Sequence, residues 1–196
     1  MTPEIRAFEY ATGLFSVLIG LAVVDIATSF HRLLRSKATV RWDPLALLAA
    51  VYALCLVVAM WFDLWGVRNF GATRHFLFYL SLIAQFFILF LVAAASLPDE
   101  PGEGADLRDY YSRNRRYFWT LITLFQAEYS AVGLYFVRSE SGRVAHWEFA
   151  LSVALMFAPF AVALALACTK SRLTHYIGIA LLLALMGLHY GPAAIN

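Results

Sequence analysis

Charged residues are scarce in this chain. Asp, Glu, Lys and Arg make up 14% of its 196 residues, whereas hydrophobic residues make up 62%. Soluble domains contain about 25% charged and about 45–50% apolar residues, so this composition excludes an ordinary soluble globular domain. A mean hydropathy of +0.70 instead indicates a protein whose solvent is the lipid bilayer.

Cysteine is also rare, and no catalytic motif is present. Cys55 and Cys168 are the two cysteines, and both lie within or at the end of apolar stretches without CxxC spacing. This pattern gives no support to a disulfide scaffold, a zinc cage or a thiol redox pair. GxSxG, P-loop, dinucleotide-binding and aspartate-rich prenyl-type motifs are missing as well. We therefore expect no enzyme activity, no cofactor and no metal site.

Long apolar stretches fill most of the chain. Six of them are long enough, or nearly so, to cross about 30 Å of hydrocarbon at about 1.5 Å per residue. They are residues 10–30, 44–65, 75–97, 117–137, 147–169 and 175–190. The sequence therefore predicts an all-α membrane protein with six transmembrane helices.

The basic residues are distributed unevenly between the loops. Ten Lys and Arg residues follow the first, third and fifth spans, whereas five lie on the opposite side. The positive-inside rule then predicts that both termini are non-cytoplasmic. The net charge of +2 comes from these loop residues and suits anionic lipid head groups better than nucleic acid. We expect an integral, multi-pass protein of a prokaryotic inner (plasma) membrane.

Asp25 and Glu128 are isolated acids inside the first and fourth apolar stretches. A shift of 103 positions superposes them, and it also matches Arg35-Ser36 with Arg138-Ser139. An ionisable group in the hydrocarbon region is costly, and it is a functional-site hypothesis by default. The match further indicates that the chain contains an internal repeat.

The repeat continues in each half at the residues that open the later spans. Trp42-Asp43 corresponds to Trp147-Glu148, and His75-Phe76 corresponds to His175-Tyr176. Because each half has three helices, an odd number, the second half must run inverted through the membrane. We therefore predict two inverted three-helix repeats, residues 1–97 and 117–196, joined by a cytoplasmic loop at 98–116.

The position of each acid relative to the following arginine predicts its depth. Asp25 and Glu128 each lie ten residues before an arginine, which is about 15 Å along a helix. Both carboxylates are therefore expected near the midplane, where inverted-repeat transporters build their binding sites. Two carboxylates within about 6 Å cannot easily both ionise, so such a pair suits proton or cation binding.

Other polar residues on the same helices extend the candidate site. Thr28 and Ser29 share a helical face with Asp25, because residues three and four apart are neighbours. Gln126 lies close to Glu128 in sequence, and Gln85 lies at the centre of the third span. As a lone amide, Gln85 is expected more often to make a satisfied interhelical hydrogen bond. The ion- or proton-binding set is thus Asp25, Glu128, Gln126, Ser29, Thr28 and Gln85.

The five histidines do not form a recognisable metal or haem motif. His75 and His175 match in the repeat, but an inverted pair would lie on opposite membrane faces. Histidines on the same face lack HxxxH or HExxH spacing. We expect them to be residues of the membrane interface.

Two functions remain open from the sequence. One is a small transporter or channel for a cation or proton, with Asp25 and Glu128 as the ion site. The other is a non-transporting membrane sensor or scaffold, in which the buried acids hold helix packing through hydrogen bonds. In either case a slim bundle with 16% aromatic residues makes homo-oligomers plausible.

Overall fold

The structure is a computed structural model that describes residues 3–36, 40–67, 76–99, 105–140 and 146–191. Its described residues form an all-α fold of six helices. The helices are α1 (Pro3–Arg35), α2 (Pro44–Val67), α3 (Phe76–Ser96), α4 (Leu107–Glu140), α5 (His146–Cys168) and α6 (Arg172–Tyr190). One isolated β-bridge joins Arg41 to Asp106.

Five of the six helices are long and apolar enough to cross a membrane. The candidate spans are Thr12–Arg35, Pro44–Leu64, Leu77–Ser96, Phe149–Cys168 and Arg172–Tyr190. These helices suggest an integral multi-pass membrane protein in contact with bilayer lipid. The exception is α4, which begins with several charged residues and carries Gln126 and Glu128 in its apolar part. Its role as a sixth span stays a prediction.

The first turns of α4 occupy a segment that the sequence predicted to be loop. The helix begins at Leu107 instead of near residue 117, so residues 107–116 are helical. The cause is local, because the Oδ1 atom of Asp106 accepts hydrogen bonds from the backbone N–H groups of Arg108 and Asp109 at 2.9 and 3.1 Å. This side chain caps the free N–H groups at the helix start.

The chain divides into two compact units, residues 1–114 and 115–196. In the first unit, α1, α2 and α3 each pack against the other two. Small residues such as Ala46, Ala49, Ala53 and Ala93 are almost fully buried in this unit, which allows apolar helices to approach closely. The first turns of α4 complete the unit.

The second unit contains the rest of α4 together with α5 and α6. Within it α5 packs along α6, where buried Gly178 lies against the side chain of Leu166. On α4, Ser130 donates a hydrogen bond to the backbone carbonyl of Met156 in α5 at 3.1 Å. The inverted relation between the two halves stays a prediction.

Two loops of the first unit are tied together by backbone and side-chain contacts. The backbone N–H of Arg41 donates to the carbonyl of Ala105 at 2.9 Å, and the N–H of Leu107 donates to the carbonyl of Arg41 at 3.1 Å. The guanidinium of Arg41 also pairs with the carboxylate of Asp106 at 3.0 Å. The segment after α1 is thereby attached to the start of α4.

Asp106→Ala is expected to lower the melting temperature because it removes both the α4 cap and the ion pair. The two backbone N–H groups and Arg41 hold the pKa of the Asp106 carboxyl below its ordinary value of 3.8. Its contribution to stability is therefore fully present above that value and is lost as the pH falls through the lowered pKa. Melting curves in detergent should differ between wild type and variant at pH 7, and the difference should become smaller as the pH is lowered below 3.8. A variant that melts like wild type at pH 7 would contradict this role.

Candidate functional site

Asp25 lies in the second half of α1, within a span that is otherwise strongly apolar. Its side chain is partly buried, and its Oδ2 atom is fully buried without a hydrogen-bond partner among the described residues. A buried polar atom that lacks a partner carries its full desolvation penalty, about 1–3 kcal/mol and more for a charged group. The position therefore favours a neutral carboxylic acid or a bound cation over a free carboxylate.

A second carboxylate, that of Asp99, lies beside Asp25. Asp99 follows the end of α3 and is exposed, and the two carboxyl groups interact electrostatically. Ser29 donates a hydrogen bond from its hydroxyl to Asp99 Oδ1 at 3.0 Å. Arg32 donates from Nη1 to the Asp99 backbone carbonyl at 2.8 Å, and its guanidinium also interacts with the Asp25 carboxylate.

These contacts follow from the helical repeat of α1. Asp25, Ser29 and Arg32 are at positions i, i+4 and i+7, so they lie on one face of the helix. The prediction that Ser29 shares a face with Asp25 agrees with this arrangement, and Thr28 is half-buried on the same helix. This face of α1 extends from the apolar part of the helix to the basic residues of its last turn.

Tyr110 and Asn114 close the site from the first turns of α4. The Tyr110 hydroxyl donates to the carbonyls of Ala95 and Leu97 at 3.2 and 3.1 Å. Asn114 donates from Nδ2 to the carbonyl of Ala95 at 2.8 Å and to the Tyr110 hydroxyl at 3.2 Å. The two side chains thereby satisfy carbonyl groups that the end of α3 leaves without intrahelical partners.

The pKa of Tyr110 is affected by burial and by the negative charges of the site. Burial, followed by the carboxylates of Asp99 and Asp25, raises the pKa of Tyr110 to about 12, although the Asn114 hydrogen bond acts in the opposite direction. Tyr110 therefore keeps its proton at every physiological pH and acts as a donor. Its electrostatic interaction with both acids places the three groups in one cluster.

The level of Asp25 within the first unit follows from two contacts between α1 and α3, whereas its midplane depth in the membrane stays a prediction. Phe15 stacks on Phe86 at 5.0 Å between ring centroids, and fourteen residues later Ser29 contacts Asp99. These two contacts show that α1 and α3 run parallel and in register, so Asp25 is level with the last turn of α3. The reason is that α1 continues to Arg35, well past the level at which α3 ends.

Glu128 and Gln126 lie on different faces of α4. Gln126 is 6% exposed and Ser130 is 0% exposed, and these two residues are four apart, on one side of the helix. Glu128 is half-buried and lies about 200° around the helix from Gln126, at about 100° per residue. The geometry thus separates Gln126 from the acid with which the sequence grouped it.

Asp25 belongs to the first unit and Glu128 to the second. Their expected pairing across the halves stays a prediction. Within the first unit the carboxylate neighbour of Asp25 is Asp99.

Gln85 has an unexpected environment at the middle of α3. The side chain is 2% exposed, and its Nε2 atom has no hydrogen-bond partner among the described residues. The expectation of a satisfied interhelical hydrogen bond was therefore wrong for this donor. Leu82 and Phe86, close to it on the same helix, are also buried, so the amide lies in an apolar core.

His175 lies in the first turn of α6, at the beginning of a candidate span, and its side chain is buried. It is 1% exposed, its Nε2 atom is 3.2 Å from the carbonyl oxygen of Thr169, and its ring centroid is 5.9 Å from that of Trp119. Arg115 donates to the same carbonyl. His75 lies outside the described residues. Within the described part of the chain, no group of three or more His, Cys, Asp or Glu residues could hold a metal ion.

Sequence reasoning missed Asp99, Tyr110 and Asn114. Asp99 stands in the Pro- and Gly-rich segment that indicated a turn, and the other two fell in the predicted loop. A usable signal was present, because the loops after the first and third spans must lie on the same membrane side.

The chain matches no protein-family model, no curated protein and no solved structure.

Proposed function

We propose that this protein is a small integral membrane transporter or channel for a cation or proton, in which Asp25 and Glu128 bind the ion. The single observation that carries the proposal is the buried Oδ2 atom of Asp25, which has no hydrogen-bond partner among the described residues. A buried carboxyl oxygen without a hydrogen-bond partner is what we expect of an acid that binds a proton or a cation.

The surroundings of Asp25 support ion exchange. Asp25 and Asp99 repel each other when both are ionised, and the partial burial of Asp25 increases the cost. A bound proton or cation reduces both the repulsion between the two carboxylates and the cost of burying the Asp25 charge. Glu128, alone and half-buried in α4, is proposed as the corresponding group of the second half.

A non-transporting scaffold or sensor is the second candidate, and one observation favours it. Ser29, Arg32, Tyr110 and Asn114 form a hydrogen-bond network that attaches the ends of α1, α3 and α4 to one another. Such a network stabilises helix packing without any transport. The scaffold function does not explain the buried Oδ2 atom of Asp25, however. An acid that holds helices together would accept a hydrogen bond at that oxygen, and none is present among the described residues.

The arrangement in the membrane completes the proposal. We propose that both termini are non-cytoplasmic and that the end of α3 with Asp99 is on the cytoplasmic side, which the ten-to-five distribution of Lys and Arg supports. We further propose α4 as the sixth span, an inverted relation between the halves, anionic lipid head groups as neighbours of the basic loops, and a homo-oligomer.

Ion flux through the purified protein in sealed liposomes tests this proposal. An imposed pH gradient or cation gradient should dissipate faster than in protein-free liposomes, measured with a pH-sensitive dye and with a cation-sensitive dye in parallel. Gradients of protons, Na⁺ and K⁺ that all persist as in protein-free liposomes would favour the scaffold.

A further inference from the structure

The three helices of the second unit meet around the turn that joins α5 to α6. This turn is formed by residues 169–171, and the backbone carbonyl of Thr169 accepts a hydrogen bond from the guanidinium of Arg115 on α4. The Nε2 atom of buried His175 lies 3.2 Å from the same carbonyl oxygen. The His175 ring centroid is 5.9 Å from that of Trp119, which follows Arg115 by one helical turn. These contacts attach α4 to the end of α5 and to the first turn of α6.

Positive charge is concentrated at this end of the second unit. Arg115 and Arg172 both lie close enough to His175 to interact with it electrostatically. The acidic residues of the sequence 115–196 are Glu128, Glu140 and Glu148. Glu128 follows Arg115 by thirteen residues, about 20 Å along α4, and the other two lie toward the opposite ends of α4 and α5. The acids of the unit are therefore too far along their helices to balance the two arginines.

The N-terminus of α6 adds to this positive charge. Aligned peptide dipoles give a helix N-terminus a partial positive charge, so acidic residues are favourable there and cations are unfavourable. Helix α6 has the unfavourable arrangement, because Lys170 and Arg172 flank its N-cap residue, Ser171, and its first turn contains no acidic residue. A bound anion would offset the repulsion among these like charges.

The position of the turn between two apolar helices indicates the kind of anion. The candidate span Phe149–Cys168 ends directly before the turn, and the candidate span Arg172–Tyr190 begins directly after it. Such a short turn between two spans lies at the polar surface of the bilayer, where the lipid phosphates are. Leu164 and Leu173, on the adjoining turns of α5 and α6, have exposed side chains. A phospholipid fits both features, because its phosphate suits the arginines and its acyl chains suit the leucines. A soluble anion fits only the arginines.

We infer that the α5–α6 turn and the facing residues of α4 bind the phosphodiester group of an anionic phospholipid, with Arg115 and Arg172 as the phosphate-binding side chains. A guanidinium has five N–H donors, so Arg115 has donors left for phosphate oxygens after it bonds the Thr169 carbonyl. That hydrogen bond also holds the guanidinium at the turn. The acyl chains lie along exposed Leu164 and Leu173. This inference rests on the part of the proposed function that places anionic lipid head groups beside the basic loops, and it assigns that contact to one site.

Native mass spectrometry tests the lipid site without relying on transport. The full-length protein in detergent is titrated with phosphatidylglycerol, or with phosphatidylcholine that has the same acyl chains. We expect the first phosphatidylglycerol to bind about tenfold more tightly than the first phosphatidylcholine, because only the former carries a net negative charge. Arg115→Gln and Arg172→Gln should each reduce this preference, and the double variant should abolish it. Arg172→Gln keeps the contact between Arg115 and Thr169, so it tests the site even if Arg115→Gln fails to fold.

Arg113→Gln is the matched control for loss of one positive charge on α4. Arg113 already pairs with the carboxylate of Asp109 one turn earlier. It also lies two residues from Arg115, about 200° around the helix, and so on the opposite side. The preference for phosphatidylglycerol should therefore be unchanged in this variant.

Four outcomes would overturn the lipid site, and they differ in what they leave standing. Equal affinity of the wild type for the two lipids would end both the site and the proposed contact with anionic lipid. A preference that persists in the Arg115→Gln/Arg172→Gln double variant, or that falls equally in Arg113→Gln, would end the site alone. Competition by inorganic phosphate that removes the preference would show a site for soluble anions instead of lipid. Phosphatidylglycerol binding at the two arginines in a protein without ion flux would support the lipid site and end the proposed transport.

Discussion

Asp25→Asn protein in proteoliposomes is expected to lose its proton or cation flux, down to the level of protein-free liposomes. The amide has the shape of the carboxyl group and keeps its hydrogen-bonding capacity, but it carries no exchangeable proton and no charge. Folding and oligomer size should be unchanged, and thermal stability should rise slightly because a neutral amide is less costly to bury than a carboxylate. The measurement is dye-reported flux, together with gel filtration and melting of the same preparation.

The companion variant and the control make this result specific. Glu128→Gln should reduce flux in the same way if both halves contribute an ion site. Asp109→Asn should not, because Asp109 is exposed at the start of α4 and pairs with Arg113 one turn later. Normal flux in the Asp25→Asn/Glu128→Gln double variant would end the hypothesis of an acidic transport site.

The scaffold function makes the opposite prediction for the same variants. If Asp25 only holds helices together, its replacement by Asn should alter melting and leave any biological activity nearly intact. The hydrogen bonds of Asp99 with Ser29 and Arg32 would then carry the stabilising role, and Ser29→Ala should destabilise more than Asp25→Asn does. The sign of the melting change in Asp25→Asn separates the two functions without a flux assay, because a transport site predicts a slight rise in melting temperature whereas a structural acid predicts a fall.

Helix content and the first-helix part of the site were predictable from local sequence. Apolar stretches long enough to span a bilayer predicted helices that the structure contains, because hydropathy and length are local properties. The shared face of Asp25 and Ser29 follows from helical periodicity alone. The same periodicity separates Gln126 from Glu128, since positions two apart point in opposite directions, so that grouping could have been avoided from the sequence.

The remaining part of the site depends on tertiary packing. Asp99 joins Asp25 only because α1 extends past the end of α3, and no residue of either helix specifies that offset by itself. The unpaired Nε2 atom of Gln85 is likewise a property of its packed neighbours. A sequence pattern shows that an amide is buried, but it does not show whether a partner reaches it.

Gly178→Leu is expected to disrupt the packing of α5 on α6 and to destabilise the second unit by about 3 kcal/mol or more, at the upper end of the cost of overpacking. A Cβ atom at Gly178 would lie 2.7 Å from Leu166 Cδ2, 2.9 Å from Cδ1 and 3.1 Å from Cγ. Leu166 is itself 1% exposed, so it has little room to move. Small residues at such crossings let two apolar helices approach closely enough for packing to hold them in lipid.

Gly187 provides the matched control on the same helix, because a Cβ atom there meets no atom within 4 Å. Gly187→Leu should therefore be neutral or slightly stabilising, since Gly has a poor helix propensity. Leu166→Ala should partly restore the stability of Gly178→Leu by vacating the space that the new side chain needs. The free energy of unfolding in mixed micelles of increasing denaturing detergent measures all four proteins. Equal stability of Gly178→Leu and Gly187→Leu would show that α5 and α6 do not depend on close contact at this crossing.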